Sequence, residues 1–182
     1  MKISKNFLSG CIVLISSSLI LACNPSSTEQ ASGLNTGSSP AAVTSSKTGP
    51  SVDLSSENIS TYKGETFELD VHISDFISSE GGGITLRFNP ALLQIISVNI
   101  DETVWDFVNQ AGKINNAEGK VSDILFSSYQ GVIGDAKIAH IEFQSIEKGV
   151  STIKLEGSSS NPFASNGEEV NVTFSTASVS SN

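Results

Sequence analysis

From residue 51 onward the apolar side chains recur at every second position, a period that confines the chain to strands burying one face each. Phe67, Leu69, Val71 and Ile73 alternate with Glu68, Asp70, His72 and Ser74. Ile84, Leu86 and Phe88 alternate with Thr85, Arg87 and Asn89, and Pro90 ends that strand because it has no amide proton to give to a ladder. Residues 93–100, 121–129, 138–146, 152–156 and 170–174 read as further strands. Gly81-Gly82-Gly83, 131–134 and Asn166-Gly167 read as turns between strands. No stretch has the period of a long helix.

About eight short strands in one helix-poor domain imply two packed antiparallel sheets, since a single sheet leaves its apolar face wet. The expected inward set is Val52, Leu54, Phe67, Leu69, Val71, Ile73, Ile84, Leu86, Phe88, Leu93, Ile95, Val98, Ile138, Ile141, Phe143, Ile153, Leu155, Val170, Val172 and Phe174. The alternation slips by one residue between Ile138 and Ile141, which places a β-bulge near Ala139-His140.

The first fifty residues have another character. Lys2 and Lys5 precede an apolar run at 7–21, which is short and serine-broken for a bilayer core of about 30 Å. Ile20-Leu21-Ala22-Cys23 closes it and resembles the lipobox of bacterial lipoproteins. That resemblance implies a signal peptide at 1–22, diacylglycerol on the Cys23 thiol and an acylated new N-terminus. It also implies anchoring to a membrane by palmitate-type chains at about 0.8 kcal/mol per buried CH₂. Asn24 is not the aspartate associated with inner-membrane retention, so the outer membrane is the expected location, on its periplasmic or cell-surface side. The alternative is an ordinary secretory signal cleaved near Ala22. Residues 23–50 then form a Ser/Thr/Gly/Pro linker with too little apolar surface to fold, and a root-mean-square reach of roughly 30 Å. The folded domain occupies 51–182.

Composition narrows the chemistry. The only cysteines are Cys11 and Cys23, so the folded domain holds neither a disulfide nor a thiolate metal site. Ten basic residues stand against nineteen acidic; loss of Lys2 and Lys5 with the signal leaves eight against nineteen, a formal −11. That balance argues against nucleic acid as a partner and against docking on anionic lipid headgroups. Gly-x-Ser-x-Gly, His-Glu-x-x-His, phosphate-loop and dinucleotide motifs are absent, so no catalytic residue and no cofactor is assigned. Asp101, Glu102 and Asp106 are the densest acidic cluster, and oxygen ligands of that kind suit calcium, but the ordered Asp-x-Asp-x-Asp-Gly pattern is missing and no metal site is assigned.

The order of segments is similar to that of cohesin domains and their sandwich relatives among carbohydrate-binding modules. Lys63-Gly64-Glu65-Thr66-Phe67 leads into an alternating strand, and Gly83-Ile84-Thr85-Leu86-Arg87-Phe88-Asn89-Pro90-Ala91-Leu92-Leu93 is the most specific piece. Gly134 to Phe143 resembles a glycine-led penultimate strand, and Phe163 to Val170 a closing hairpin. The resemblance spans Val52 to about Phe174 and implies a nine-stranded jelly-roll sandwich that binds without turnover. It further implies a sheet face that docks a protein, dockerin-like or another extracytoplasmic protein. Thr85, Arg87 and Asn89 are the outward positions proposed for that face, with Ser122, Ser127 and Ser128 beside them. Arg87 is the only arginine of the chain.

Polysaccharide binding, in association with polysaccharide degradation, is the alternative. It requires exposed aromatic faces, for which Trp105 and Tyr129 are the candidates, followed by Tyr62 and Phe107. Trp105 has a competing role as a plug at one end of the sandwich. His72 and His140 fall beside core positions and read as a solvated strand residue and a locally hydrogen-bonded one.

Overall fold

A computed structural model of the chain describes residues 49–182. The expected signal peptide, Cys23 and nearly all of the linker lie outside the described residues. The described part is all β, with thirteen strands: β1 Ser51–Leu54, β2 Asn58–Thr61, β3 Thr66–Ser74, β4 Ser79–Arg87, β5 Leu93–Ile100, β6 Val108–Asn115, β7 Lys120–Val132, β8 Ala136–Ser145, β9 Gly149–Gly157, β10 Ala164–Ser165, β11 Glu168–Glu169, β12 Thr173–Phe174 and β13 Thr176–Ser181. The excess over nine comes mainly from the two-residue pieces β10, β11 and β12. These divide the expected strand at 170–174 and its approach into short pairings, because Val170-Asn171-Val172 leaves the ladder between them.

Two sheets face each other. The smaller runs β12-β1-β3-β8-β5. In the larger, β4 is the axis: β7 pairs along one edge with β6 beyond it, and β9 and β10 share the other edge, with β13 and β2 outside β9. Leu69, Val71 and Ile73 of β3, Ile84 and Leu86 of β4, Ile141 and Phe143 of β8, and Ile153 of β9 are all fully or almost fully buried between them. Each such side chain contributes about 1.5–3 kcal/mol relative to exposure. Most of the expected inward set is buried; Phe67, Val170, Val172 and Phe174 are only partly so and pack on its margin.

Three sequence expectations are corrected. The bulge lies one residue earlier than expected: Val71 faces Ala139 and His72 faces Lys137, so Ile138 is the extra residue, and both Ile138 and Ala139 are buried. Gly81-Gly82-Gly83 is not a turn but the middle of β4, paired with Ser127, Phe126 and Leu125 of β7. The glycines are there for room. A Cβ on Gly82 would lie 2.9 Å from the Phe163 ring, and one on Gly83 2.8 Å from Ser158 Cβ and 2.9 Å from Leu125 Cδ2. Finally, the core holds residues outside the expected set, among them Phe76, Trp105, Val121, Ile124, Phe126, Phe163 and Val179. Four of these are aromatic and join in one series, Trp105 to Phe126 to Phe163 to Phe76, with ring centroids 4.6, 5.7 and 6.0 Å apart.

The Asn166-Gly167 turn stands as read. Both residues have positive φ, 52° and 77°, the combination of a tight two-residue hairpin, which joins β10 to β11. Because Gly83 is a packing glycine, Gly83→Val is expected to cost about 1–3 kcal/mol in urea unfolding through overpacking. An unchanged unfolding midpoint would return Gly83 to a tolerant turn.

Candidate functional site

The outer face of β6, β7, β4 and β9 is the broadest surface on which the sequence candidates meet. On β9, Ser151, Ile153 and Leu155 turn inward, so Thr152, Lys154 and Glu156 turn outward, and all three are exposed. On β4, Ile84 and Leu86 are buried, which leaves Thr85 and Arg87 on the outer side, half-buried and exposed respectively. Arg87 donates its Nε–H to Glu156 Oε2 at 2.7 Å. Both partners are about half exposed, so solvent screening leaves this pair worth about 0–1 kcal/mol.

Asn89 does not share the strand position expected for it. β4 ends at Arg87, and Asn89 Oδ1 accepts the Ala91 amide at 3.0 Å while its carbonyl accepts the amides of Leu92 and Leu93. It shapes the turn into β5. Ser122 does lie on the outer face, opposite Lys113 of β6. Ser127 and Ser128 also lie on β7 of this sheet, where Ser127 Oγ accepts the Val108 amide at the start of β6 at 3.1 Å and the Ser128 hydroxyl bonds the Asp106 carboxylate.

The pairing register brings out a feature that parity alone did not. Arg87 stands directly opposite Lys120 of β7 and directly opposite Lys154 of β9. Lys120 and Lys154 neighbour inward-facing Val121, Ile153 and Leu155, so the three cations form one cross-strand row on the outer face. Lys113 lies on the same face on β6. Like charges placed directly opposite one another destabilise a sheet, with pairwise effects of about 0.2–1 kcal/mol. Glu156 is the only anion ion-paired to these four among the described residues. The outer face of the other sheet is mixed: Glu68 stands opposite Glu142, Asp70 opposite His140 and His72 opposite Lys137. Thus four of the seven Lys and Arg side chains among the described residues share one outer face, while Lys63, Lys137 and Lys148 lie elsewhere.

At one end of the cationic face is an apolar hollow of about 330 Å³, lined by Val108, Leu125 and Pro162 over Gly81 and Gly82. Beside it, Phe107 and Tyr129 make an edge-to-face pair with centroids 5.6 Å apart, and both are largely exposed. Their backbones are fixed. The Phe107 amide donates to Ser127 O at 3.1 Å, and the Tyr129 amide donates to Asp106 Oδ1 at 3.1 Å. That second bond, with the Ser128 hydroxyl, holds the Asp106 carboxyl below its ordinary pKa.

Trp105 is corrected as a glycan-stacking candidate. It is fully buried, edge-on to Phe126, with its indole N–H donated to Lys137 O at 2.8 Å. Neither ring face reaches solvent. The acidic cluster does not converge either: Asp101 Oδ1 takes the Thr103 amide and hydroxyl, and Asp106 turns to Tyr129. Among the described residues no three His, Cys, Asp or Glu side chains are grouped to hold a metal ion. His140 makes the local bond expected of it, Nδ1 to Asp70 Oδ1 at 2.7 Å.

The cohesin domain model matches residues 52–181, and the chain belongs to the cohesin domain family, whose members are non-catalytic interaction modules. No curated protein matches the sequence. Among solved structures it is similar to the OlpA cohesin of Clostridium thermocellum in complex with a dockerin, at 13% identity and a TM-score of 0.61, covering 74% of this chain and 100% of that one. The sixth cohesin of scaffoldin B from Acetivibrio cellulolyticus, bound to a Cel5 dockerin variant, gives 17%, 0.61 and the same coverages. A non-cellulosomal cohesin from the archaeon Archaeoglobus fulgidus gives 12% and 0.58, covering 74% of this chain and 92% of that one. At these identities the structures establish the fold.

The different surroundings of the two candidate aromatics separate in a stability measurement. Trp105→Ala is expected to lose about 3–5 kcal/mol in urea unfolding, and Tyr129→Ala less than about 0.5 kcal/mol. Equal losses would contradict the placement of both rings.

Proposed function

We propose that this protein is a lipid-anchored, extracytoplasmic recognition module that binds a dockerin-like protein through the outer face of β6, β7, β4 and β9. The supporting observation is the open row of exposed side chains on that face, Arg87, Thr152, Lys154 and Glu156, on a domain of a family whose solved members include complexes with dockerins. The work of the molecule is display. The two-sheet core holds the backbone of the face in place, so little conformational entropy is lost on docking. Arg87 is the anchor proposed for it, since a guanidinium fork offers several fixed donors and such groups are enriched at binding hot spots.

The anchor is supported by the resemblance of Ile20-Leu21-Ala22-Cys23 to a lipobox. Acylation of Cys23 would hold the base in a membrane, with the outer membrane favoured by Asn24, and residues 23–50 would let the domain at 51–182 search for its partner. A second reading, binding of a polysaccharide, is favoured by the exposed Phe107–Tyr129 corner, with Tyr129 taking the role sequence reasoning had divided between it and Trp105. Retardation in a gel containing a soluble neutral polysaccharide, abolished by Tyr129→Ala, is its signature; free migration in every such gel removes it.

Surface plasmon resonance against a panel of purified dockerin modules tests the leading reading. Arg87→Ala is expected to weaken binding by about ten-fold or more, with a melting temperature close to that of the parent. Equal affinities of the two proteins would move the site off this face, and no binding to any module would remove dockerins as the partner. Metabolic labelling with a palmitate analogue in a bacterial host is expected to mark the full chain and to spare Cys23→Ser; label retained by that variant would refute the anchor.

A further inference from the structure

We infer that the partner presents a row of carboxylates to Lys120, Arg87 and Lys154, so that docking is between an acidic surface and this cationic one. The inference rests on the protein-recognition reading and specifies the partner's chemistry. Three cations on adjacent strands in directly opposed register repel one another. A fold gains nothing from that arrangement, and the neighbouring anion, Glu156, is already shared with Arg87. Lys120, Lys154 and Lys113 have no ion pair with another described residue. Two further acids lie near the row, Glu118 in the β6–β7 turn and the exposed Asp123 at the irregular step of β7, and neither is ion-paired to its cations.

The distribution of the remaining charges strengthens the case. Lys63 is paired with Glu147 at 2.6 Å and Lys137 approaches Asp70 at 4.0 Å, so two of the three described Lys side chains off this face have an acidic companion, Lys148 being the exception. The row therefore stands out on a protein whose overall charge is strongly negative. An acidic partner would be repelled by most of this surface and drawn only to this face, which fixes orientation before contact. Adjacent strands lie about 4.8 Å apart, so the row spans about 10 Å and matches carboxylates projected at a similar spacing. The apolar hollow at Leu125 and Val108, at one end of the same face, would take an apolar side chain of the partner and add a dry contact beside the charged one.

Two probes test this. The first is an alternating peptide, acetyl-Glu-Thr-Glu-Thr-Glu-amide, titrated against the labelled domain by NMR, with the Gln-for-Glu peptide as control. Saturable shifts are expected at residues 85–87, 120–122 and 152–156 with the Glu peptide, and are expected to vanish in Lys120→Glu/Lys154→Glu. Absence of shifts there, or equal shifts with the Gln peptide, overturns the inference. The second probe is any dockerin module that binds in the resonance assay. Raising NaCl from about 0.05 M to about 0.5 M, or introducing Lys154→Glu, is expected to lower its affinity by about ten-fold, mainly in the association rate. Affinity indifferent to both overturns the acidic-partner inference while leaving protein recognition intact. If no dockerin binds yet the Glu peptide lands on the row, dockerin recognition fails and the acidic-surface inference stands. Lys154→Thr, which relieves like-charge repulsion, should melt no lower than the parent and lose affinity all the same. Salt-sensitive self-association of the parent domain in sedimentation, abolished by Lys154→Glu, would assign the face to a second copy and overturn the inference.

Discussion

Mutual burial of two pleated faces is the constraint on which everything else in this domain depends. Leu69, Val71 and Ile73 on one sheet and Ile84, Leu86 and Ile153 on the other exclude water between them. The period of two that places these residues inside simultaneously places Thr85, Arg87, Lys154 and Glu156 outside. Core and recognition surface are thus two sides of the same strands. A slip of one residue in β4 or β9 would bury Arg87 or Lys154 and expose Leu86 or Leu155, so the apolar set also locks the register of the charged row.

Aromatic packing extends that constraint to the loops. Phe163 covers Gly82, and Trp105 packs on Phe126 and donates its indole N–H to β8, so the segments before β10 and after β5 are fastened to the sheets by rings. These same fasteners set the edges of the functional face. The 101–107 loop, held by Trp105 inside and by Asp106 at the Tyr129 amide, presents Phe107 beside Tyr129. Rigidity there comes from backbone bonds, which frees both rings for contact.

The distribution of charge gives the module a direction. Glu68 opposite Glu142 on one outer face and Lys120, Arg87 and Lys154 in line on the other make the two sides of the sandwich electrically unlike. Each like-charge contact costs some stability, which a well-filled core can absorb. The arrangement serves selection of a partner and of its orientation, in keeping with membership of a family of non-catalytic interaction modules.

How much of this was legible beforehand depends on the range of the interactions concerned. Alternation alone identified β3, β5, β8 and β9 and most of the core, because side-chain parity is a local consequence of backbone geometry. It identified Arg87 and Thr85 as outward for the same reason. It misread Gly81-Gly82-Gly83 as a turn, because glycine makes a turn by its own freedom but makes room only for a neighbour, here Phe163, eighty residues away in sequence. It offered Trp105 to sugars, although a ring's exposure is decided by what folds over it. The cationic row was out of reach altogether: Lys120, Arg87 and Lys154 are brought side by side only by the pairing of β7, β4 and β9. The sequence by itself therefore determined which faces of the strands are wet and which are dry, since that follows from near neighbours along the chain. Which charges stand together on the wet side was decided by the tertiary structure, because strand order and register are set by contacts between distant segments.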